Sequence, residues 1–300
     1  IHTHEIRHIV SWPFNEVASI RGTANIRQDR FVTLATDFQR LQVPTSFNYW
    51  AGAKVEYVFD NVLPLGLNLM RGARYKIFAE YYRSLPIQQV EGMGIPETIN
   101  MYILGADFRH YTKIHRDFIW ANRFAASTSL GSHKLIYYMG GVDQWLLPDF
   151  NDRTRVDQSQ NYIFQTLATP MRGFTQNARN GNSFAVINSE LRMPIFRYLV
   201  NQPIRSDFIN NFQIIGFGDI GTAWTGLHPY SEDNTLNTEI IDSNPFVITL
   251  KNLREPIIGG YGFGLRSRIW GYFIRADWAW GVEDTVIQPR VFYLSLSLDF

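Results

Sequence analysis

Two acidic residues stand out as candidate functional groups because each lies in a segment where polar and apolar side chains alternate. Glu190 lies within residues 187–193 and Asp219 within residues 214–221. In an extended strand, successive side chains point to opposite faces. Glu190 should therefore lie opposite Leu191 and Met193, and Asp219, which shares its face with Phe217, should lie opposite Ile214 and Ile220. A pair of nearby carboxylates can perform acid–base hydrolysis. The same pair can also be neutralised by an arginine, whose planar fork carries five donors.

We expect no enzymatic chemistry and no metal or cofactor. The sequence contains no nucleophile-elbow, zinc-protease or phosphate-loop motif, and an arginine partner would keep both carboxylates ionised. His2, His4 and His8 share strand parity and could meet as metal ligands, but we interpret them as rim or lumen side chains. Ser132-His133 is interpreted as a turn pair rather than as a nucleophile and its base.

The composition favours a membrane β-barrel over a soluble domain. Of the 300 residues, 45% are hydrophobic, 15% are aromatic and only 18% are charged. Barrel walls use many aromatic rings at the membrane interfaces. A net charge of +1 argues against nucleic-acid binding. No cysteine is present, which suits an exported protein.

No helical membrane span or signal peptide is visible. The mean hydropathy is −0.16, and we find no apolar run of about 18 uncharged residues. The first residue is Ile1 rather than Met, so we expect a mature chain or a fragment of a longer exported protein.

Hydrophobicity alternates with a period of two, and residues 292–300 give the clearest example. The apolar face of this segment carries Phe292, Leu294, Leu296, Leu298 and Phe300. The opposite face carries Ser295, Ser297 and Asp299. A soluble sheet could alternate in the same way. The aromatic character of the apolar face and its recurrence in many segments favour a transmembrane barrel instead.

About twelve strands are predicted, in an all-β, antiparallel transmembrane barrel that occupies residues 1–300 as one domain. The predicted strands are 4–14, 16–33, 50–60, 72–83, 99–112, 116–131, 133–140, 183–197, 209–225, 257–269, 271–282 and 289–300. Long and short connections alternate, as extracellular loops and periplasmic turns do. The connection 141–182 is too long for an ordinary loop, which indicates a function.

Five sequence pieces, in their order, resemble the membrane domain of the BamA-type polypeptide insertase and translocator superfamily, also called the bacterial surface antigen family. They are Pro-Met-Arg-Gly-Phe at 170–174, the Glu-Leu-Arg-x-Pro strand within 188–194, the Phe-x-Asp-x-Gly-x-x-Trp strand within 216–224, and the penultimate strands around 262–266 and 275–277. The resemblance covers residues 130–300 well and the first half only in general texture. A terminal phenylalanine is similar to the sorting signal of outer-membrane barrels.

The resemblance implies that the loop 141–182 folds back into the lumen and that Arg172 bridges Glu190 and Asp219. On the residues alone, these three charges could also be unconnected lumen or surface groups. The arginine would relieve the repulsion between two inward carboxylates that are otherwise unpaired.

The neighbouring residues have implied roles in the same contact. Gly173 permits a tight backbone at the loop tip, and Phe174 can pack on Phe217. Gly218 and Gly221 are unusual inside a strand unless another chain segment approaches closely.

The implied function is insertion or translocation of polypeptides at the bacterial outer membrane, without a cofactor. The implied partners are outer-membrane lipids, polypeptide clients, and other envelope proteins or lipoproteins. A scaffolding barrel in a larger envelope complex and a diffusion pore are the alternatives.

The strand count differs from that of the superfamily. Its members have about sixteen strands, and our seventh strand stands where their eleventh does. We therefore expect the first four strands, and any periplasmic domain before them, to be missing from the sequence. The last segment, 292–300, would form half of the lateral seam.

Overall fold

The chain is all-β, as predicted. The computed structural model describes residues 2–32, 45–85, 99–157, 160–200, 202–234, 236–243, 246–251 and 254–299. None of the helices in these ranges is both long enough and apolar enough to cross a membrane.

The described residues form eighteen strands and two short helices. The strands are β1 (His2–Pro13), β2 (Ala18–Phe31), β3 (Ser46–Asp60), β4 (Leu63–Gly66), β5 (Leu69–Leu85), β6 (Asn100–His115), β7 (Phe118–Gly131), β8 (Lys134–Met139), β9 (Tyr162–Ala168), β10 (Arg179–Gly181), β11 (Ser183–Met193), β12 (Gln213–Trp224), β13 (Thr238–Ser243), β14 (Phe246–Lys251), β15 (Ile258–Ile269), β16 (Tyr272–Glu283), β17 (Val286–Ile287) and β18 (Val291–Ser295). The helices are α1 (Ile195–Leu199) and α2 (Asp207–Asn210).

Thirteen of the strands form one antiparallel sheet, which we call the wall. Its order is β1-β2-β3-β5-β6-β7-β11-β12-β15-β16-β17, with β4 added to β5 and β18 added to β16. Nearly every wall strand is therefore next to its sequence neighbour, as in an up-and-down barrel. Within the described ranges, β1 pairs only with β2, whereas β18 pairs with β16 and also makes a single bridge between Ser295 and Trp145.

The period-two pattern translates directly into an outer and an inner face. Aromatic rings on the outer face contact one another from strand to strand. Phe59 stacks on Tyr75 with ring centroids 5.3 Å apart, Tyr75 meets Phe108 at 5.6 Å, and Phe108 meets Phe124 at 6.2 Å. A second row joins Phe263, Trp278 and Phe292. Such cross-strand aromatic pairs stabilise neighbouring strands.

One predicted wall strand lies elsewhere. Residues 133–140 contain β8, but β8 pairs with β9 in parallel and with β10 in a separate three-stranded sheet. Consequently β11 pairs directly with β7, and the sixth long wall strand, not the seventh, precedes the long connection. Ile136 and Met139 are buried in this separate sheet. The prediction was wrong because a wall strand also buries apolar side chains on its inner face, so apolar residues alone do not show which sheet a strand joins.

Three predicted strands end or begin at different residues. The strand predicted at 183–197 ends at Met193, because Pro194 has no N–H to continue the ladder. Helices α1 and α2 occupy part of the next connection, so the strand predicted at 209–225 begins at Gln213. The last strand ends at Ser295, and Phe300 lies outside the described residues.

One edge of the wall, which we call the turn rim, collects the connections 14–17, 61–68, 116–117, 194–212 and 270–271. Most of these are short, but residues 194–212, which we call the helical connection, are not. The connection predicted to be long at 60–71 also belongs to this rim and contains β4. The opposite rim carries residues 132–182 and 225–257.

Candidate functional site: a loop docked on the inner wall

Residues 132–182, which we call the inserted loop, pack against the inner face of the wall. Met139, Met171 and Phe174 of this loop share a buried apolar cluster with Val186 of β11 and Ile258 of β15. Ala125 of β7 and Ala223 of β12 belong to the same cluster, and their small side chains leave room for the loop. The inserted loop therefore fills this part of the space behind the wall.

Arg172 lies at the tip of the inserted loop, between the two candidate carboxylates. Its Nε and Nη2 donate to Oδ2 and Oδ1 of Asp219, each at 2.7 Å, and its Nη1 donates to Oε1 of Glu190 at 2.5 Å. The side chains of Arg172 and Glu190 are fully buried, and Asp219 is 2% exposed. This is the two-pronged geometry that gives arginine–carboxylate pairs their strength.

The charge of Arg172 is stabilised in several ways. Burial disfavours the charged guanidinium, but the charges of Asp219 and Glu190 outweigh burial and raise the pKa of Arg172. The guanidinium carbon also lies 3.7 Å from the ring centroid of Phe217, a cation–π contact.

Glu190 has more partners than the sequence predicted. Arg266 donates to both of its carboxylate oxygens, at 3.0 and 2.8 Å, and Arg192 donates to Oε2 at 2.8 Å. The prediction that the two carboxylates would be unpaired without Arg172 was therefore wrong for Glu190. Both additional arginines are buried, since β11 and β15 point them into the lumen. Sequence parity could have found Arg192, which shares a face with Glu190.

Asp219 also receives donors other than the guanidinium. The backbone N–H of Arg172 donates to its Oδ2 at 3.1 Å, and Nδ2 of Asn188 donates to its Oδ1 at 2.8 Å. The same amide nitrogen donates to the carbonyl of Pro170 at 2.9 Å. Asn188 thus connects Asp219 of the wall to the residue that lies two positions before Arg172 in the loop.

The backbone of the loop tip touches the wall directly at Gly173. This residue has φ +96°, and a Cβ added there would lie 2.5 Å from the backbone nitrogen of Gly281. A Cβ on Gly281 would in turn meet the carbonyl of Gly173 at 2.6 Å. At Gly221, where the sequence predicted a close approach by another segment, the neighbour is Met139 of the inserted loop, whose sulfur would lie 3.1 Å from an added Cβ. The glycines therefore allow close approach of loop and wall.

Phe174 packs on the inner wall but not in the same cluster as Phe217. It belongs to the cluster of Met139 and Met171, whereas Phe217 belongs to a separate cluster. The ring of Phe217 faces the Arg172 guanidinium instead. A π face attracts a cation, so the arginine takes the position that the sequence assigned to the phenylalanine.

Tyr293 of the last strand holds the loop tip and was not found from the sequence. Its hydroxyl accepts from the N–H of Gly173 at 2.9 Å and donates to the carbonyl of Phe174 at 2.7 Å. Alternation along 292–300 would have placed this ring inside, but nothing in the sequence pairs it with residue 173. The side chain is fully buried.

Tyr293→Phe should loosen the tip of the loop. The variant keeps the ring but leaves the N–H of Gly173 without a partner, which costs about 1–3 kcal/mol. The carbonyl of Phe174 keeps the N–H of Gly141. We expect a lower melting temperature and faster trypsin cleavage after Arg172. Tyr272→Phe, at a ring that is 66% exposed, is the control and should behave like the wild type. Equal behaviour of the two variants would contradict a clamping role for Tyr293.

The last strand presents the faces that alternation predicts, over the part that forms a strand. Phe292 is exposed, and Leu294 is partly exposed, while Tyr293 and Ser295 are buried. The other residues predicted on the apolar face, Leu296 and Leu298, follow the strand end, and Phe300 lies outside the described residues.

Asp299 turns inward and joins the polar interior. Its carboxylate accepts from Arg192 at 2.9 Å, from Arg109 of β6 at 2.9 Å, and from the hydroxyl of Tyr111. Residues of β6 and β11 therefore converge on one carboxylate that follows β18. The wall must curve to bring these strands together.

The inserted loop also reaches the first half of the wall, a contact that no sequence pattern predicted. Phe164 of β9 packs edge-on against Trp50 of β3, with ring centroids 5.5 Å apart. The guanidinium of Arg27 on β2 lies 4.4 Å from the centroid of the same ring. A single loop thus contacts strands from both ends of the wall.

The residues considered for enzymatic or metal chemistry lie away from this site. His2, His4 and His8 are exposed along β1. The hydroxyl of Ser132 accepts from the backbone N–H of Asn100 at 3.1 Å, as expected for a turn residue. No group of three or more potential metal ligands occurs within the ranges that the structure describes.

Solved structures supply the only matches among known proteins. No protein family model and no curated protein matches the sequence. One matching structure is that of BamA from Haemophilus ducreyi lacking POTRA domains 1-3, with 11% identity, a TM-score of 0.53 and coverage of 98% of this chain and 54% of that one. Another is CdiB from Acinetobacter baumannii, with 13% identity, a TM-score of 0.40 and coverage of 99% and 50%.

The likeness to BamA defines the class of fold. The antiparallel wall of thirteen strands and its structural similarity to BamA together identify a β-barrel fold. More particularly, it is the barrel fold of BamA, as the sequence resemblance predicted. The chain spans about half the length of the BamA structure that it matches.

Proposed function

We propose that this chain forms most of the wall of an outer-membrane β-barrel that assists the insertion or translocation of polypeptides. The observation that carries the proposal is Arg172, buried between Asp219 and Glu190 at the tip of a loop that fills the lumen. A loop held by buried ion pairs is a poor feature for a diffusion pore. It suits a barrel that works at its wall rather than through an open channel.

The outer face of the wall supports a lipid environment. Ile187, Ile220 and Phe263, on three adjacent strands, are 52%, 57% and 47% exposed. Contact of such rows of apolar side chains with water is unfavourable, whereas their contact with hydrocarbon is not. The aromatic rows on the same face fit the girdles that barrels place near the membrane interfaces.

The site supports a structural role rather than catalysis. Glu190 faces Arg172, Arg192 and Arg266, so its carboxylate stays ionised and cannot act as a general acid. The proposed activity is therefore non-enzymatic and needs no cofactor. Its partners are lipids and polypeptide clients.

The edge of β18 is the proposed contact with clients. Within the described residues, the ladder partner of β18 is β16, and residues 145–146 of the inserted loop cover one end of its other edge. There Trp145 bridges Ser295, and the N–H of Leu146 donates to the carbonyl of Leu294 at 2.9 Å. A strand edge can recruit another strand through its backbone groups, so a client strand could pair with the rest of this edge, residues 291–293, while it enters the membrane.

Photo-crosslinking tests this proposal. A photoreactive amino acid at Phe292, on the edge strand, should crosslink to newly made outer-membrane or exported polypeptides. The same group at Phe263, similarly exposed but inside the wall on β15, is the matched control and should not. The crosslinks at Phe292 should disappear when synthesis of clients stops.

The alternative, a scaffolding barrel in a larger envelope complex, predicts a different pattern. Its crosslinks would join Phe292 to resident envelope proteins or lipoproteins, and they would persist after synthesis stops. That result, or equal crosslinking at Phe263 and Phe292, would overturn the proposal of a client-binding edge.

A further inference from the structure

The helical connection, residues 194–212, is unusually elaborate for the turn rim. The neighbouring connections 116–117 and 270–271 are two residues each, whereas this one carries α1 and α2. It is fixed to the rim on both sides. Arg197 pairs with Asp117 at 2.9 Å, and the hydroxyl of Ser267 donates to the carbonyl of Phe208 at 2.7 Å.

Its aromatic side chains continue the outer face of the wall. Phe212 has the same strand parity as Ile214 and Ile220, which are 38% and 57% exposed on the outer face. Phe196 of α1 and Phe208 of α2 both pack on the Phe212 ring, with centroids 5.5 and 5.8 Å apart. The two helices therefore gather their rings on the side of the wall that faces outward.

More apolar surface lies beside these rings. Leu199 lies one helical turn from Phe196 and is 67% exposed, and Val200 is 45% exposed. On the neighbouring hairpin of the same rim, Trp270 is 93% exposed and Tyr272 is 66% exposed. Tryptophan and tyrosine are the residues that proteins concentrate at the level of lipid headgroups.

The charges around this apolar surface are mainly positive. The connection and the residues that it bonds to carry four arginines (Arg116, Arg197, Arg205 and Arg268) and two aspartates (Asp117 and Asp207), an excess of two positive charges. Apolar side chains bordered by arginines are the pattern of segments that lie in a membrane interface. Anionic headgroups would complement this charge.

We propose that the helical connection docks on the phospholipid headgroup layer at the turn rim, with Phe196, Leu199 and Phe208 inserted among the lipids. The inference rests on the proposed function, since it requires the outer face of the wall to meet lipid. It adds a second membrane contact, parallel to the bilayer, which fixes the height and tilt of the wall. Gln202 and Arg205, between the helices, face the water and headgroups.

Depth-dependent fluorescence quenching tests the proposal in the whole protein. Because the sequence contains no cysteine, one introduced cysteine gives one labelled site. Leu199→Cys and Phe208→Cys carry an environment-sensitive dye, in vesicles of phosphatidylethanolamine and phosphatidylglycerol. Gln202→Cys is the matched control in the same connection, and Ile187→Cys reports on the middle of β11. Spin labels are placed either near the headgroup or deep in the acyl chain of the lipids.

The proposal predicts blue-shifted dye emission at positions 199 and 208. At both positions the shallow spin label should quench the fluorescence more strongly than the deep one. The dye at position 202 should show neither change, and the dye at position 187 should be quenched more strongly by the deep spin label. If 187 is quenched but 199 and 208 are not, a protein partner or water covers the helices and this inference is wrong. If 202 is quenched as strongly as 199, the proposed orientation is wrong. If 187 meets no lipid, the proposed function itself fails.

Discussion

Arg172→Ala is expected to destabilise the barrel by about 3–5 kcal/mol, the cost of breaking one partner of a buried ion pair. The main loss is at Asp219, which is left with the side-chain amide of Asn188 and the backbone N–H of residue 172. Glu190 keeps Arg192 and Arg266. Most of the effect should therefore come from one stranded carboxylate rather than from two.

Two measurements report this effect: the melting temperature, and the difference in gel mobility between the folded protein and the heated protein. Arg153→Ala, at an exposed arginine of the same inserted loop, is the control and should melt like the wild type. Adding Asp219→Ala to Arg172→Ala should cost less than the two single changes together, because the stranded charge is gone. An Arg172→Ala protein that runs and melts like the wild type would show that the ion pairs do not hold the loop.

Gly173→Ala is expected to prevent the loop tip from seating on the wall. Two effects add: the residue has φ +96°, which costs a side chain about 1–3 kcal/mol, and the new Cβ would lie 2.5 Å from the backbone nitrogen of Gly281. Backbone atoms of a wall strand cannot rotate away as a side chain can. The loop must therefore withdraw, or β16 must move away from its neighbours in the wall.

A second glycine separates these two effects. Gly271, in the β15–β16 turn, has φ +87° but no atom within 4 Å of an added Cβ. Gly271→Ala should lose stability only through the strained backbone conformation, and the loop should stay docked. We expect trypsin to cleave after Arg172 in Gly173→Ala and not in Gly271→Ala. Equal protection in both variants would mean that the close approach to Gly281 is not needed for docking.

The alternation of polar and apolar side chains with a period of two residues predicted much of the fold. Alternation around Glu190 and Asp219 predicted that both carboxylates face inward, and alternation along the last segment predicted that Phe292 faces outward. These predictions succeed because the geometry of a strand fixes the direction of each side chain locally. The all-β class and the antiparallel order follow from the same local rule.

Local rules failed where a contact joins distant segments. Residues 135–139 form an apolar run of strand length, yet β8 lies in a separate sheet, because such a run does not say which sheet a strand joins. The clamp of Tyr293 on Gly173 and the contact of Phe164 with Trp50 depend on how the inserted loop crosses the interior. Such packing depends on the assembled shape and leaves no periodic trace in the sequence.

The position of the loop tip in the chain has a consequence for the order of assembly. Gly173 binds the Tyr293 hydroxyl and Arg172 binds the Asp219 carboxylate, and both partners emerge from the ribosome later than the loop. The inserted loop therefore has its full set of tip contacts only after the final strand has joined β16. Contacts this distant in sequence form slowly, so a docked tip reports that the C-terminal strands are already in place.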